Sequence, residues 1–161
     1  MKRVIVIGAG ASGLMAACFA AKSGNSVTVL ERNEKAGKKI YITGKGRCNV
    51  TNAVRPDIFL ENVVRNGKFL TGCVYAFPPD RLMQMLENGG LPLKTERGNR
   101  VFPVSDHASD VTKCLIRFCE EAGVRFVFNT RVQSVKKTDP GFRVLAENED
   151  FAADAVIVCT G

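Results

Sequence analysis

Apolar positions along this chain fall into short unbroken runs split by glycine-rich turns, with one long helical stripe between them. Val4-Ile5-Val6-Ile7 is a β-branched run that predicts a strand over 3–7, buried on both faces. Gly8-Ala9-Gly10-Ala11-Ser12-Gly13 follows at once, and a helix is expected over 11–23. Ala16, Ala17, Ala20 and Ala21 give that helix a small-residue surface suited to close packing on a sheet, and Gly24 stops it. A second apolar run predicts a strand over 27–31, ending on Glu31. The segment 33–52 shows little period of either kind and reads as a long loop rich in glycine and lysine, a length that is usually functional.

Further along, a short helix is expected over 57–66 with Asp57 as its N-cap, and another from Pro79 to Gly89-Gly90 with Leu82, Met85 and Leu86 on one face. Two short strands, 91–96 and 99–102, flank the turn Arg97-Gly98. Val111, Cys114, Leu115, Phe118, Cys119 and Ala122 recur at helical spacing. Ser105, Asp106 and Ser109 are its N-cap candidates, and Gly123 its stop. A strand over 124–128 is followed by a three-stranded antiparallel meander, 131–137, 142–146 and 151–153, turning at Asp139-Pro140-Gly141 and Asn148-Glu149-Asp150. A last buried strand, 155–159, leads to Thr160-Gly161.

The glycines have a chemistry. Gly8 permits a tight turn, Gly10 leaves the backbone bare for phosphate oxygens, and Gly13 lets helix and strand pack closely. The helix start offers unpaired N–H groups and about half a positive charge to a diphosphate. Glu31, eighteen positions after Gly13, can accept hydrogen bonds from ribose hydroxyls. The pattern predicts a dinucleotide-binding α/β fold.

Composition narrows the function classes. The 161 residues are 45% hydrophobic and 24% charged, and no apolar run approaches the ~20 residues of a membrane span. The start, Met1-Lys2-Arg3-Val4, is superficially like a signal peptide, but its apolar run breaks at Gly8. A cytoplasmic protein without membrane attachment is expected. Six cysteines form no C-x-x-C pair, so no zinc site or disulfide framework is expected, and Cys18, Cys114 and Cys159 fall at positions expected to be buried. The lone histidine, His107, leaves little scope for a triad and reads as a surface residue at a helix start. The net charge of +7 fits a solvated basic surface, a funnel for an anionic ligand, or nucleic acid. The basic residues are scattered and aromatics make up only 7%, which argues against nucleic acid as a partner.

The element order resembles the two-sheet nucleotide-binding domain of glutathione-reductase-like flavoproteins: a βαβ start, a return helix and strand, an antiparallel meander, then a strand back into the main sheet. That resemblance implies a Rossmann domain that binds FAD rather than NAD. A more specific likeness lies in Gly37-Lys38-Lys39-Ile40-Tyr41-Ile42-Thr43-Gly44-Lys45-Gly46-Arg47-Cys48-Asn49-Val50-Thr51-Asn52, with Glu96-Arg97-Gly98-Asn99-Arg100-Val101-Phe102-Pro103 and Ser105-Asp106 as a second motif. These resemble the signatures of a family of bacterial NAD(P)/FAD-dependent oxidoreductases that includes an aminoacetone oxidase and a bile-acid-pathway reductase.

The resemblance implies roles for residues across the chain. Gly8, Gly10, Ala11, Ser12 and Gly13 would lie at the pyrophosphate, and Glu31, with its neighbour Arg32, at the adenosine ribose. Lys38 and Lys39 would run along the nucleotide, with Thr43, Gly44, Gly46, Arg47, Cys48 and Asn49 toward the flavin end. Val132 would meet the adenine through its backbone, and Thr160 and Gly161 begin a second flavin motif. The two lysines would act as point charges, and Arg47 could fork onto a phosphate. Cys48 is read as packing rather than redox, since no second cysteine lies near it in sequence.

Relatives of this kind continue into a substrate domain, so residues 1–161 are expected to be the N-terminal part of an FAD domain. The expected activity is hydride transfer through FAD, with NAD(P)H or a small organic substrate as donor. No catalytic residue and no metal ligand is assigned. An FAD-dependent RNA-modifying enzyme and a non-catalytic nucleotide-binding module stay open as alternatives.

Overall fold

A computed structural model describes residues 1–161. The chain divides into two compact units: residues 1–40 with 115–161, and residues 41–114.

The first unit is built on a four-stranded parallel sheet. Its strands are β1 (Arg3–Ile7), β2 (Ser26–Leu30), β6 (Arg125–Val127) and β10 (Ala155–Val158), in the order β10-β1-β2-β6. The unbroken apolar run places β1 in the middle, where both faces are covered. Alternation splits the strands between two layers. Ile5, Ile7 and Leu30 face a second sheet, the antiparallel meander β7 (Val132–Lys137), β8 (Phe142–Ala146) and β9 (Asp150–Ala153), and pack with Val144, Ala153 and Phe151. Val4, Val6, Val27 and Val29 point the other way, toward α1 (Ala11–Lys22). That helix buries Gly13, Leu14, Ala17 and Cys18; Ala16, Ala20 and Ala21 of the expected small-residue surface are only half-buried. The C-terminal half of α6 (Ala108–Glu121) lies on α1: the Cys119 thiol donates to the Leu14 carbonyl at 3.2 Å and the Cys18 thiol to that of Phe118 at 3.6 Å. Asp154 joins β10 to β1, accepting from the Arg3 amide at 2.6 Å.

The second unit holds α3 (Pro56–Glu61), α4 (Gly67–Ala76), α5 (Pro79–Asn88) and an antiparallel sheet in the order β3-β5-β4. Its strands are β3 (Thr51–Asn52), β4 (Leu93–Glu96) and β5 (Arg100–Pro103), the last two closed by Arg97-Gly98 as expected. Leu86, Val101 and Phe102 are its buried centre.

Several expectations are corrected. The 33–52 loop contains a single turn of helix, α2 (Lys38–Ile42), a short 3-10 segment (Thr43–Gly46) and β3. One buried side chain, Ile40, is too little apolar signal to announce a helix. Asp57 is not a cap: Arg55 takes that place in extended backbone because Pro56 occupies the first helical position, and Asp57 pairs with the Arg55 guanidinium. That helix ends at Glu61 rather than 66. The sequence pattern does not announce α4, which buries no residue, opens on Gly67 and carries Gly72 in its interior. Gly67 lets it begin close behind α3, since a Cβ there would stand 3.3 Å from the Leu60 carbonyl oxygen. Cys159 is half-buried rather than buried, while Cys48 and Cys119 are buried with Cys18 and Cys114. No disulfide is present, and no helix is long and apolar enough to cross a membrane.

Candidate functional site

In the first unit, the carboxyl ends of β1, β2 and β10 meet the amino end of α1. The chain leaves β1 through Gly8 at φ +101°, and a Cβ there would lie 2.5 Å from the Cys159 carbonyl oxygen. Gly8 is therefore required twice, by its left-handed backbone and by the strand end that crosses it. A Cβ on Gly13 would overlap the Gly8 carbonyl oxygen, so helix and turn touch backbone to backbone. Gly10 differs from both. Its φ is −77°, open to any residue, and nothing lies within 4 Å of where its Cβ would be. Neither conformation nor packing demands a glycine there. Gly10 is also the N-cap of α1 and brings no side chain to its first-turn amides. Ala11 and Ser12 in that turn are exposed. The result is an uncapped helix start beside an open backbone, the surface a diphosphate needs.

Glu31 stands at the edge of this turn, 8% exposed. One carboxylate oxygen accepts from the Ala9 amide at 2.8 Å, and the other accepts from the Asn33 amide at 2.9 Å and the Asn33 side chain. The carboxylate faces the glycine turn and braces it, with lone pairs remaining for a further donor. Asn33, which sequence reasoning did not single out, holds that carboxylate with both its backbone and side-chain amides. The contact is local, a side-chain carboxylate accepting from the amide two residues on. Arg32 is exposed.

Backbone bonds bring other expected residues to the same edge. The Gly37 amide donates to the Ala9 carbonyl at 2.8 Å, anchoring the segment that carries Lys38 and Lys39. Lys38 pairs with Glu34 at 2.9 Å. The Lys39 ammonium reaches the chain beyond β10, 2.5 Å from where a Cβ on Gly161 would sit. Thr160, next to it, is exposed. The Thr130 amide donates to the Glu31 carbonyl at 2.9 Å, so the start of β7 and Val132 lie beside the acid.

The remaining expected residues belong to the second unit. Gly44, Lys45 and Gly46 are all left-handed, at φ 56°, 58° and 87°, and Cys48 is again left-handed at 60°. The Cys48 amide donates to the Thr43 carbonyl at 3.1 Å, and burial pushes its thiol up, away from the reactive thiolate. One side-chain amide atom of Asn49 lies 3.0 and 3.2 Å from the carbonyls of Thr51 and Val101, and only nitrogen at that place, as donor, satisfies both. Arg47 departs from the expected free fork. Its guanidinium is bonded to Glu96 and, at 2.7 Å, to Asp106, and lies 4.2 Å from the centre of the Phe102 ring. Lys94 completes the group, 2.6 Å from Asp106. Arg47 holds the Glu96 carboxyl below its ordinary range; Lys94 first and then Arg47 do the same for Asp106. His107 is exposed, as expected, and no group of His, Cys, Asp and Glu could hold a metal.

Similarity to known proteins agrees with this geometry. A family model described as "HI0933-like protein Rossmann domain" matches residues 2–161. The chain is 34% identical over 163 residues to a 3-dehydro-bile acid delta(4,6)-reductase of Clostridium scindens, covering 100% of this chain and 39% of that protein. It is 28% identical over 158 residues to a ribosomal RNA dihydrouridine synthase of Escherichia coli, covering 98% of this chain and 38% of the relative. The chain thus spans about two-fifths of the length of these relatives. Among solved structures, a 3-ketosteroid-delta4-(5alpha)-dehydrogenase of Rhodococcus jostii superposes with a TM-score of 0.69 at 18% identity, over 99% of this chain and 46% of that one. THI4 of Thermovibrio ammonificans gives 0.65 at 16% identity, over 99% and 57%. These last two likenesses, at under 20% identity, show the fold alone. With the family model spanning all but its first residue, the chain belongs to the HI0933-like protein Rossmann domain family.

Proposed function

We propose that this chain holds the ADP part of FAD in a flavin-dependent oxidoreductase. The observation that carries the reading is Gly10: a glycine the fold does not need, at an uncapped helix start, with Glu31 beside it. The diphosphate would sit against the amides of Ala11, Ser12 and Gly13, stabilised by the partial positive charge of α1. Glu31 would hold the adenosine ribose, and the backbone at Val132 the adenine. Lys39 and the chain at Thr160 and Gly161 would lie along the path toward the flavin. Bound FAD would supply hydride acceptance and release; the protein would contribute binding, orientation and charge. NAD(P)H or a small organic substrate is the donor in this reading.

The test is the absorption spectrum of the full-length protein as purified, followed by anaerobic NADH and NADPH. A flavin band that one nucleotide bleaches supports the reading, whereas a protein that neither carries nor takes up FAD ends it.

A second reading has its own support. The Escherichia coli relative is named for ribosomal RNA, and the net charge of +7 suits a phosphate backbone. Under it, the substrate of the same flavin is a base in RNA. RNA binding whose affinity falls steeply with salt separates it from a small-molecule enzyme.

A further inference from the structure

We propose that Arg47 is a positioning residue: forked onto Glu96 and Asp106 and laid on Phe102, it holds the left-handed loop Gly44–Gly46 in a single shape. The inference rests on the FAD reading, with the loop set toward the flavin only as the family resemblance implies, but the lock itself lies wholly within the second unit and is visible without it.

Three observations converge. The loop is costly by itself. Lys45 and Cys48 are non-glycine residues in left-handed backbone, a conformation that persists only where surroundings over-determine it. The surroundings are the hairpin β4–β5 and the residues after it. Gly44 is seated so tightly there that a Cβ would stand 2.9 Å from the Asn49 amide nitrogen and 3.1 Å from the Phe102 ring. Finally, Arg47 follows the loop directly and is spent on that hairpin. It meets Glu96 at the end of β4, Asp106 beyond β5 and the face of Phe102 within β5. Lys94 lies 2.6 Å from Asp106 and 3.7 Å from Glu96, so two cations and two anions close a neutral group. A guanidinium forked onto two carboxylates has little charge left to offer a phosphate.

A positioning role and a phosphate-binding role predict opposite signs. If Arg47 bound a phosphate, Asp106 and Glu96 would compete for it, and Asp106→Asn would leave FAD affinity unchanged or raise it. If Arg47 positions the loop, Asp106→Asn, Glu96→Gln and Arg47→Met all weaken FAD alike, by about tenfold. The dependence of affinity on salt distinguishes the two again. Loss of a cation at the phosphate flattens it, whereas loss of a brace leaves it parallel to the parent's.

The experiment uses the full-length protein, titrated with FAD at several salt concentrations and followed through the visible flavin band. Expected results are weaker binding, parallel salt dependence and an altered band shape for all three variants. Gly44→Ala, which disturbs the same loop without touching charge, should reproduce them. Tighter or unchanged binding in Asp106→Asn, or a flattened salt dependence in Arg47→Met, would overturn the proposal. A parallel arm needs no FAD: trypsin should cut after Lys45 faster in the variants than in the parent when each is digested at the same interval below its own melting temperature. If the parent binds no FAD but the loop still opens in the variants, the cofactor reading fails and the lock stands. If cleavage rates are equal, the lock fails.

Discussion

Replacing Gly10 by alanine separates what the fold needs from what a ligand needs. The residue sits at φ −77°, and the added methyl would enter open space. Restricting the unfolded chain should stabilise the protein by ~0.4–1 kcal/mol. Exchanging glycine for alanine at an N-cap should cost about as much, roughly 0.5–1 kcal/mol. The two offset, and the melting temperature of the 161-residue chain should stay within about 2 °C of the parent's. Binding should behave differently. On the FAD reading the methyl would crowd a diphosphate at the first-turn amides, and each charge-assisted hydrogen bond lost there is worth about 1.5–3 kcal/mol, ten- to a hundredfold in Kd. Gly13→Ala is the contrast, because its Cβ would overlap the Gly8 carbonyl oxygen and backbone must move. Overpacking of that kind costs roughly 1–3 kcal/mol or more, so that variant should melt several degrees lower. Circular-dichroism melts of the ligand-free chains and FAD titration of the full-length variants make the comparison. A Gly10→Ala protein that binds FAD as tightly as its parent would refute the reasoning, and so would one that melts as low as Gly13→Ala.

Glu31→Gln should turn an amide N–H₂ toward donors from Ala9 or Asn33 and lower stability by roughly 1–3 kcal/mol, measured by urea unfolding. Brief alkylation of the native chain should label Cys73 first, since it is exposed while Cys18, Cys48, Cys114 and Cys119 are buried; mass spectrometry reads the site. Burial carries the Cys119 thiol up to about 12, which should keep it unreactive until the chain unfolds. Glu96 and Asp106 titrate below their ordinary range in the folded chain, so the stability they confer is complete above the unfolded value and is lost as pH falls through the lowered one. Urea midpoints measured downward from about pH 5 should therefore drop less steeply in a Glu96→Gln, Asp106→Asn double variant than in the parent.

The amino-acid sequence by itself determined the frame of this protein. The run Val4–Ile7 could only be a central strand, Gly8 to Gly13 a turn into a helix, and the stripe from Val111 to Phe118 a buried helix face; each is a local period strong enough to survive any context. The meander was equally legible, because its turn residues bracket alternating strands. Elements with weak local signals were not legible. Helix α4 buries nothing and α2 buries one side chain, so no apolar pattern announced them. Only the tertiary structure divided the glycines by role: Gly8 answers to the Cys159 carbonyl, 151 positions away in sequence, while Gly10 answers to no atom of the chain. It also decided the fate of Arg47, whose partners Glu96 and Asp106 are 49 and 59 residues distant. Periodicity reports what a residue's own element requires; charge pairing and close backbone approach depend on residues that folding alone brings within reach.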